Sequence, residues 1–252
     1  MNIILKIEIS NKTVIISLDR KITNALNLEL LDEIQSKLNQ FNHQAEIHSI
    51  ILTSNNNKFF SIGLDIPSIY DISRLEFEEF YKTFTQTCVE LFRSPKPVIA
   101  AISGHAIAGG CILALCCDYR IMTDSKALMG LNEIKLGVPV PYLGYFILKE
   151  LVGYQTARNV CESGDFFSPE DLFHMGLVDE IVPSSTTRDV ALQKAQNLGS
   201  LPQSSYELIK QVRIKEILEQ YFKERNDELN LFTSSWFSYP ARKALKEAIK
   251  KF

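Results

Sequence analysis

The spacing of apolar and polar positions changes period several times along the chain. Residues 3–9 (IILKIEI) and 13–18 (TVIISL) are short and rich in β-branched side chains, and Ser10, Asn11 and Lys12 between them are turn formers, so two paired strands are predicted. Thr23 is placed to cap a helix in which Leu30, Leu31, Ile34, Leu38 and Phe41 recur at helical spacing. Residues 47–53 predict a third strand, and SNNNKFFSIG (54–63) a polar loop rising into an apolar edge. Phe77, Phe80, Phe84, Cys88 and Leu91 fall on one stripe of a helix over about 72–94, which Pro95 and Pro97 stop. VIAAIS (98–103) offers no polar face, as expected of a strand covered on both sides.

After a turn at 104–109, a small-residue helix is predicted over 110–117 and a strand over 119–123. YLGYFILKELVG and YQTARNVCESG follow with helical patterns. Ser168-Pro169-Glu170 is a helix start, and residues 176–183 predict one last strand. From 185 onward every pattern is helical, the final helix opening at Pro240. Strands alternating with helices predict an α/β core, here 1–184, with a helical region at 185–252 and a boundary near 183–185.

Composition narrows the partners. A net charge of −3 gives no reason to expect a nucleic acid or an anionic membrane surface. No apolar run is long enough to span a bilayer. Cys88, Cys111, Cys116, Cys117 and Cys161 are odd in number and lack CxxC spacing, which predicts buried free thiols in a reducing compartment. The first residues run straight into a strand pattern without a leader-like segment, so a cytoplasmic protein is expected. His43, His48 and His174 form no metal pair, and no metal is expected.

The candidate chemistry lies around GHAIAGG (104–110). Small residues admit a ligand close to the backbone, and the first N–H groups of a helix point outward unpaired, an arrangement suited to an anion or a developing oxyanion. The turn alone fits tight helix–strand packing better. It is not GxGxxG and lacks the Lys-Ser/Thr of a phosphate loop. No serine sits in a nucleophile elbow.

FFSIGLDI (59–66), KPVIAAISGHAIAGGCILALCCDYRI (96–121) and GLNEIKLGVPVP (130–141), with SPEDLFHMGLVDEIVP (168–183), resemble the crotonase, or enoyl-CoA hydratase/isomerase, superfamily over almost the whole chain. The resemblance implies a spiral of repeated ββα units with a C-terminal helical region that builds a homotrimer or a dimer of trimers. It also implies an acyl-CoA thioester as ligand, with coenzyme A entering only as part of the substrate and no other cofactor.

By the same resemblance, the backbone N–H groups of Leu64 and Gly109 form an oxyanion hole. Ile62, Gly63, Asp65, Ile66 and Asn132 hold the CoA ester, and Glu133 is the catalytic acid–base group. Hydratases of the superfamily carry a second glutamate directly after GGC. Ile112 stands there in this chain, and an isoleucine can neither activate water nor carry a proton. The pattern is thus most like the Δ3,Δ2-enoyl-CoA isomerase branch. The alternatives are another one-acid member (an acyl-CoA hydrolase, a decarboxylase or a weak hydratase) and a non-catalytic acyl-CoA-binding protein.

Ile112, Leu131 and Ile134 are expected to raise the Glu133 pKa by desolvation. Asn132 either orients that carboxylate or caps a turn. Asp65 is expected to fix its loop by accepting backbone hydrogen bonds, and His105 to fill space. Arg242, Lys243, Lys246, Lys250 and Lys251 form either a solvated basic face or a seat for CoA phosphates.

Overall fold

A computed structural model of the protein describes residues 4–250; Ile3 and Lys251 from the sequence expectations lie outside this range. The chain opens with an antiparallel hairpin of β1 (Leu5–Ser10) and β2 (Thr13–Leu18), followed by α1 (Leu28–His43). Three turns of a spiral come next. The first is β3 (Ser49–Ser54), β4 (Phe59–Ser61), α2 (Ile66–Ile69) and α3 (Arg74–Phe92). The second is β5 (Val98–Ile102), β6 (His105–Ile107) and α4 (Gly109–Leu115). The third is β7 (Tyr119–Thr123), β8 (Met129–Gly130), α5 (Glu133–Leu136) and α6 (Tyr142–Ser163). The chain closes with α7 (Pro169–Met175), β9 (Glu180–Val182), α8 (Thr187–Gly199), α9 (Gln203–Trp236) and α10 (Tyr239–Ile249).

Each turn sends its first strand to a six-stranded sheet, ordered β1-β2-β3-β5-β7-β9, and its second to a three-stranded sheet, ordered β4-β6-β8. From β2 onward both sheets are parallel, in registers such as Ile50↔Val98, Ala100↔Arg120 and Ala106↔Met129. This is the crotonase-type ββα spiral that the sequence implied.

The wholly apolar strands are explained by what covers them. Val14, Ile16, Ile50, Leu52, Val98 and Ala100 enter the main core with Leu30, Ile34, Phe77 and Phe84. The alternate residues Ile15, Ile51, Ile99, Ala101 and Ile121 meet Ala191 and Ala195 of α8, whose small side chains admit a close approach. Helices α8–α10 of the C-terminal helical region pack directly on the spiral. Ile214, Tyr221, Phe232, Trp236 and Leu245 all belong to the main core.

A buried ion cluster ties α9 to the large sheet. Lys210 Nζ lies 2.7 Å from Asp118 Oδ2, Arg213 pairs with Oδ1, and the Val98 N–H donates to Oδ2 at 2.8 Å. The described cysteines are all free, and only Cys161 is more than marginally exposed. No described helix is long and apolar enough to cross a membrane.

The first helix departs from expectation. It begins at Leu28, capped by Asn27, whose side chain accepts from the Leu30 N–H, and not at Thr23. Tertiary bonds take precedence there. The buried Asn24 side-chain amide donates to Ser54 Oγ and to the carbonyls of Phe59 and Phe60, and Leu26 bridges Leu64, which holds the segment extended. The two helical stretches within 142–163 are separated, as expected, by the non-helical backbone of Gly153 (φ 76°, ψ 163°). The last strand is shorter than expected, Glu180–Val182, and follows Gly176, which ends α7 in the left-handed conformation.

Candidate active site

The small sheet assembles the site. Leu64 follows β4, Gly109 follows β6 and Glu133 follows β8, so neighbouring strands deliver one group each to the same place. Gly63, at φ +87°, lies so close to α4 that a Cβ on it would sit 2.8 Å from the Gly109 nitrogen, a conformation and a clearance that only glycine meets. A Cβ on Gly109 would in turn stand 3.4 Å from Leu64 Cδ2. Ala108, which caps α4, is held at φ 49°, ψ −120°, a backbone strain of ~1–3 kcal/mol that the surrounding sheet maintains.

Leu26 N–H donates to the Gly63 carbonyl and Asp65 N–H to the Leu26 carbonyl. This leaves the N–H groups of Leu64 and Gly109 without an acceptor among the described residues.

Both residues line a cavity of about 600 Å³ together with Ile62, Ile66, Ile112, Asn132 and Glu133. Ile62, Leu64 and Ile66 line the cavity, while Gly63 and Asp65 do not. Burial ranks the walls. Lys135, Phe166 and Glu247 are exposed and mark the open end; Phe84, Phe232 and Trp236 are nearly inaccessible and close the other.

Glu133 is 4% exposed, and its Oε2 has no hydrogen-bond partner. Burial pushes its pKa up to about 8, with its own backbone N–H pulling weakly the other way. Ile112 and Leu131 are fully buried as expected, but Ile134 is 51% exposed and packs toward Gly164. In the single turn of α5 the residue after Glu133 rotates outward, so Ile134 takes no part in the desolvation.

Asn132 lines the cavity beside Glu133, yet its side chain neither caps α5 nor bonds the carboxylate, and its buried Oδ1 is unpartnered. Asp65 is held by Arg20, whose Nη2 lies 2.6 Å from Oδ2 while Nη1 donates to the Ala25 carbonyl. An ion pair fixes that loop in place of the expected backbone bonds. Sequence reasoning passed over Arg20, which has no motif around it.

His105 Nδ1 accepts the Leu128 N–H at 3.0 Å and its ring packs on Phe59, a structural role as expected. In α10, Arg242 stacks on the Tyr70 ring and bonds the Tyr70 carbonyl, and Lys250 pairs with Glu247. Those two cations are thus engaged within the fold. Lys243 and Lys246 are exposed. Of the residues at the closed end, Phe84 was visible in sequence only as a helix-face aromatic, and Phe232 and Trp236 only as lying in a helical stretch.

The family model for enoyl-CoA hydratase/isomerase matches residues 8–252, and the chain belongs to that family. Enoyl-CoA delta isomerase 1, mitochondrial, of Mus musculus is 32% identical over 229 residues, spanning 90% of this chain and 79% of the mouse protein. Crotonyl-CoA hydratase of Syntrophomonas wolfei is 35% identical over 182 residues, 72% of this chain and 69% of that one. Among solved structures, human mitochondrial delta3-delta2-enoyl-CoA isomerase matches with a TM-score of 0.95 at 26% identity, covering 98% of this chain and 97% of the other. The relatives are thus enoyl-CoA isomerases and hydratases, and the chain is a crotonase-family enzyme.

Proposed function

We propose that the protein is an enoyl-CoA isomerase that converts 3-enoyl-CoA to trans-2-enoyl-CoA. One observation carries this reading: Glu133 is the one buried carboxylate among the described lining residues, and Ile112 occupies the wall where a hydratase has its second acid. Adding water requires one group to activate the water and another to manage the α-proton; moving a double bond requires one.

With the thioester oxygen between the Leu64 and Gly109 N–H groups, Glu133 removes a proton from C2. The C2–H electron pair enters the C1–C2 bond and negative charge collects on the thioester oxygen. Glu133 then returns the proton to C4, and the double bond settles between C2 and C3. No electron donor or further reactant enters, so the reaction needs no cofactor. Each amide donor contributes roughly 3–4 kcal/mol to holding the enolate. Ile62, Ile66 and Asn132 hold the ester from the cavity wall, and Gly63 and Asp65 support them. The similarity to named delta isomerases in sequence and in fold supports the same reading.

The C-terminal helices are proposed to build a homotrimer or a dimer of trimers in the cytoplasm. Exposed Leu208, Ile209 and Val212 on α9 support an assembly face.

The test offers 3-enoyl-CoA and 2-enoyl-CoA to the enzyme side by side. Isomerisation of the first is expected to dominate. Faster formation of 3-hydroxyacyl-CoA from the second would replace this reading with a hydratase.

A further inference from the structure

Two hollows lie on either side of a wall made by helices α3 and α9. One is the cavity that holds Glu133, closed at its far end by Phe84, Phe232 and Trp236. The other is a polar cleft of about 470 Å³, with exposed Glu79, Lys82 and Arg225 around it. Along α3, Phe84 lines the cavity while Tyr81 and Thr85 line the cleft. Along α9, Phe232 lines the cavity, and Glu228, four residues earlier, lines the cleft. No described residue lines both.

The partition is thin but braced. Phe232 on the cavity side stacks on Tyr81 on the cleft side, with ring centroids 4.1 Å apart. Tyr81 is fixed from behind, because its hydroxyl donates to Glu228 Oε1 at 2.6 Å and the Tyr142 N–H donates to the same oxygen at 2.9 Å. Phe77, fully buried, stacks on Trp236 at 4.6 Å and on Phe232 at 6.3 Å. Rings packed this way do not swing aside for a ligand, since a close-packed interior resists even one added methylene.

On the acyl-CoA reading above, one direction is left for the acyl tail. The CoA portion is bulky and charged and belongs to the open end, beside Lys135. The reacting carbons lie between Glu133 and the amides of Leu64 and Gly109, so the rest of the chain runs on toward the aromatic wall. We propose that this end is a blind acyl pocket in which Phe232, backed by Tyr81, is the stop that sets an upper limit on acyl chain length. The substrates are then enoyl-CoAs up to one sharp cut-off. This inference rests on the acyl-CoA reading and adds the class of acyl chain.

The test compares straight-chain 3-enoyl-CoA thioesters of increasing length in wild type, Phe232→Leu and Phe232→Ala. Wild-type kcat/KM is expected to fall tenfold or more, by the order of magnitude an extra methylene costs in a filled apolar pocket, at one step in the series. In both variants the cut-off is expected to move to longer chains. The kcat/KM ratio of the first excluded length to the last accepted one should rise about tenfold. Phe232→Leu removes less volume and keeps the test available should Phe232→Ala fail to fold. A smooth decline with no cut-off in wild type overturns the proposal. So does a cut-off that stays in place in a variant that melts cooperatively, since the tail then leaves the cavity another way.

Calorimetric binding of saturated straight-chain acyl-CoAs separates this claim from the catalytic one. If no 3-enoyl-CoA is turned over, the isomerase reading fails, while a cut-off in Kd that moves in Phe232→Leu still upholds the length limit. If no acyl-CoA of any length binds, both fall.

Discussion

Of the buried carboxylates among the described residues, Asp118 and Glu133 are treated in opposite ways. Asp118 is surrounded by Lys210, Arg213 and the Val98 N–H, so its charge is fully matched and it joins α9 to the large sheet. Glu133 faces a cavity with one oxygen unpartnered, and burial raises its pKa to about 8. A matched buried charge serves architecture. An unmatched one costs stability and persists where a ligand supplies what the protein withholds.

The contrast can be broken most forcefully at its catalytic pole. Glu133→Gln keeps the shape and removes the proton carrier, so isomerase turnover should fall roughly 10²- to 10⁴-fold while a saturated acyl-CoA still binds by calorimetry. Turnover near the wild-type rate would remove Glu133 from its role. At the architectural pole, Asp118→Asn leaves Lys210 buried without a counter-ion. Denaturant unfolding should show a loss of about 3–5 kcal/mol, with activity per folded molecule retained.

A third comparison uses pH. The folded state holds the Glu133 proton up to about pH 8, whereas the unfolded chain releases it near the ordinary value of 4.5. Unfolding therefore releases a proton between these values, and that contribution to stability is lost as pH rises across the window. Glu133→Gln should gain stability relative to wild type from about pH 4.5 to about 8, by at most about 5 kcal/mol, and the difference should level off above. A difference independent of pH would mean that the carboxyl group is not desolvated. The same ionisation should make kcat/KM rise with pH toward about 8, since the base is the carboxylate.

The strands of the large sheet were the most legible part of the fold. TVIISL and YRIMT end where the structure ends them, because each is an apolar run between turn residues and has both faces covered. By contrast, β4 and β6 of the small sheet lie in stretches read as a loop (54–63) and a turn (104–109), too short to show an alternation, and β8 was not read at all. The start of α1 was misplaced because Thr23 looks like a cap locally, while Asn24 spends its side chain on residues thirty or more positions away. The site divided along the same line. Leu64, Gly109 and Glu133 came from ordered motifs and meet in one cavity.

Ile134 was misjudged because α5 spans four residues, too few for a periodicity to show which way a side chain turns. Arg20 was missed because its partner, Asp65, lies 45 residues on. Phe84 was legible as part of a helix face and Trp236 only as lying in a helical stretch, and no local pattern states what a face will meet.

The delivery of one group per coil, from β4, β6 and β8 in turn, also makes the chemistry modular. The amide of the first coil and that of the second are backbone features, indifferent to the side chains attached. An acid can thus be gained in the second coil, at Ile112, or lost from the third, at Glu133, without moving the pair of amides between them. On the proposed function, a descendant of this chain could change the reaction it performs by a single codon and keep both amides in place.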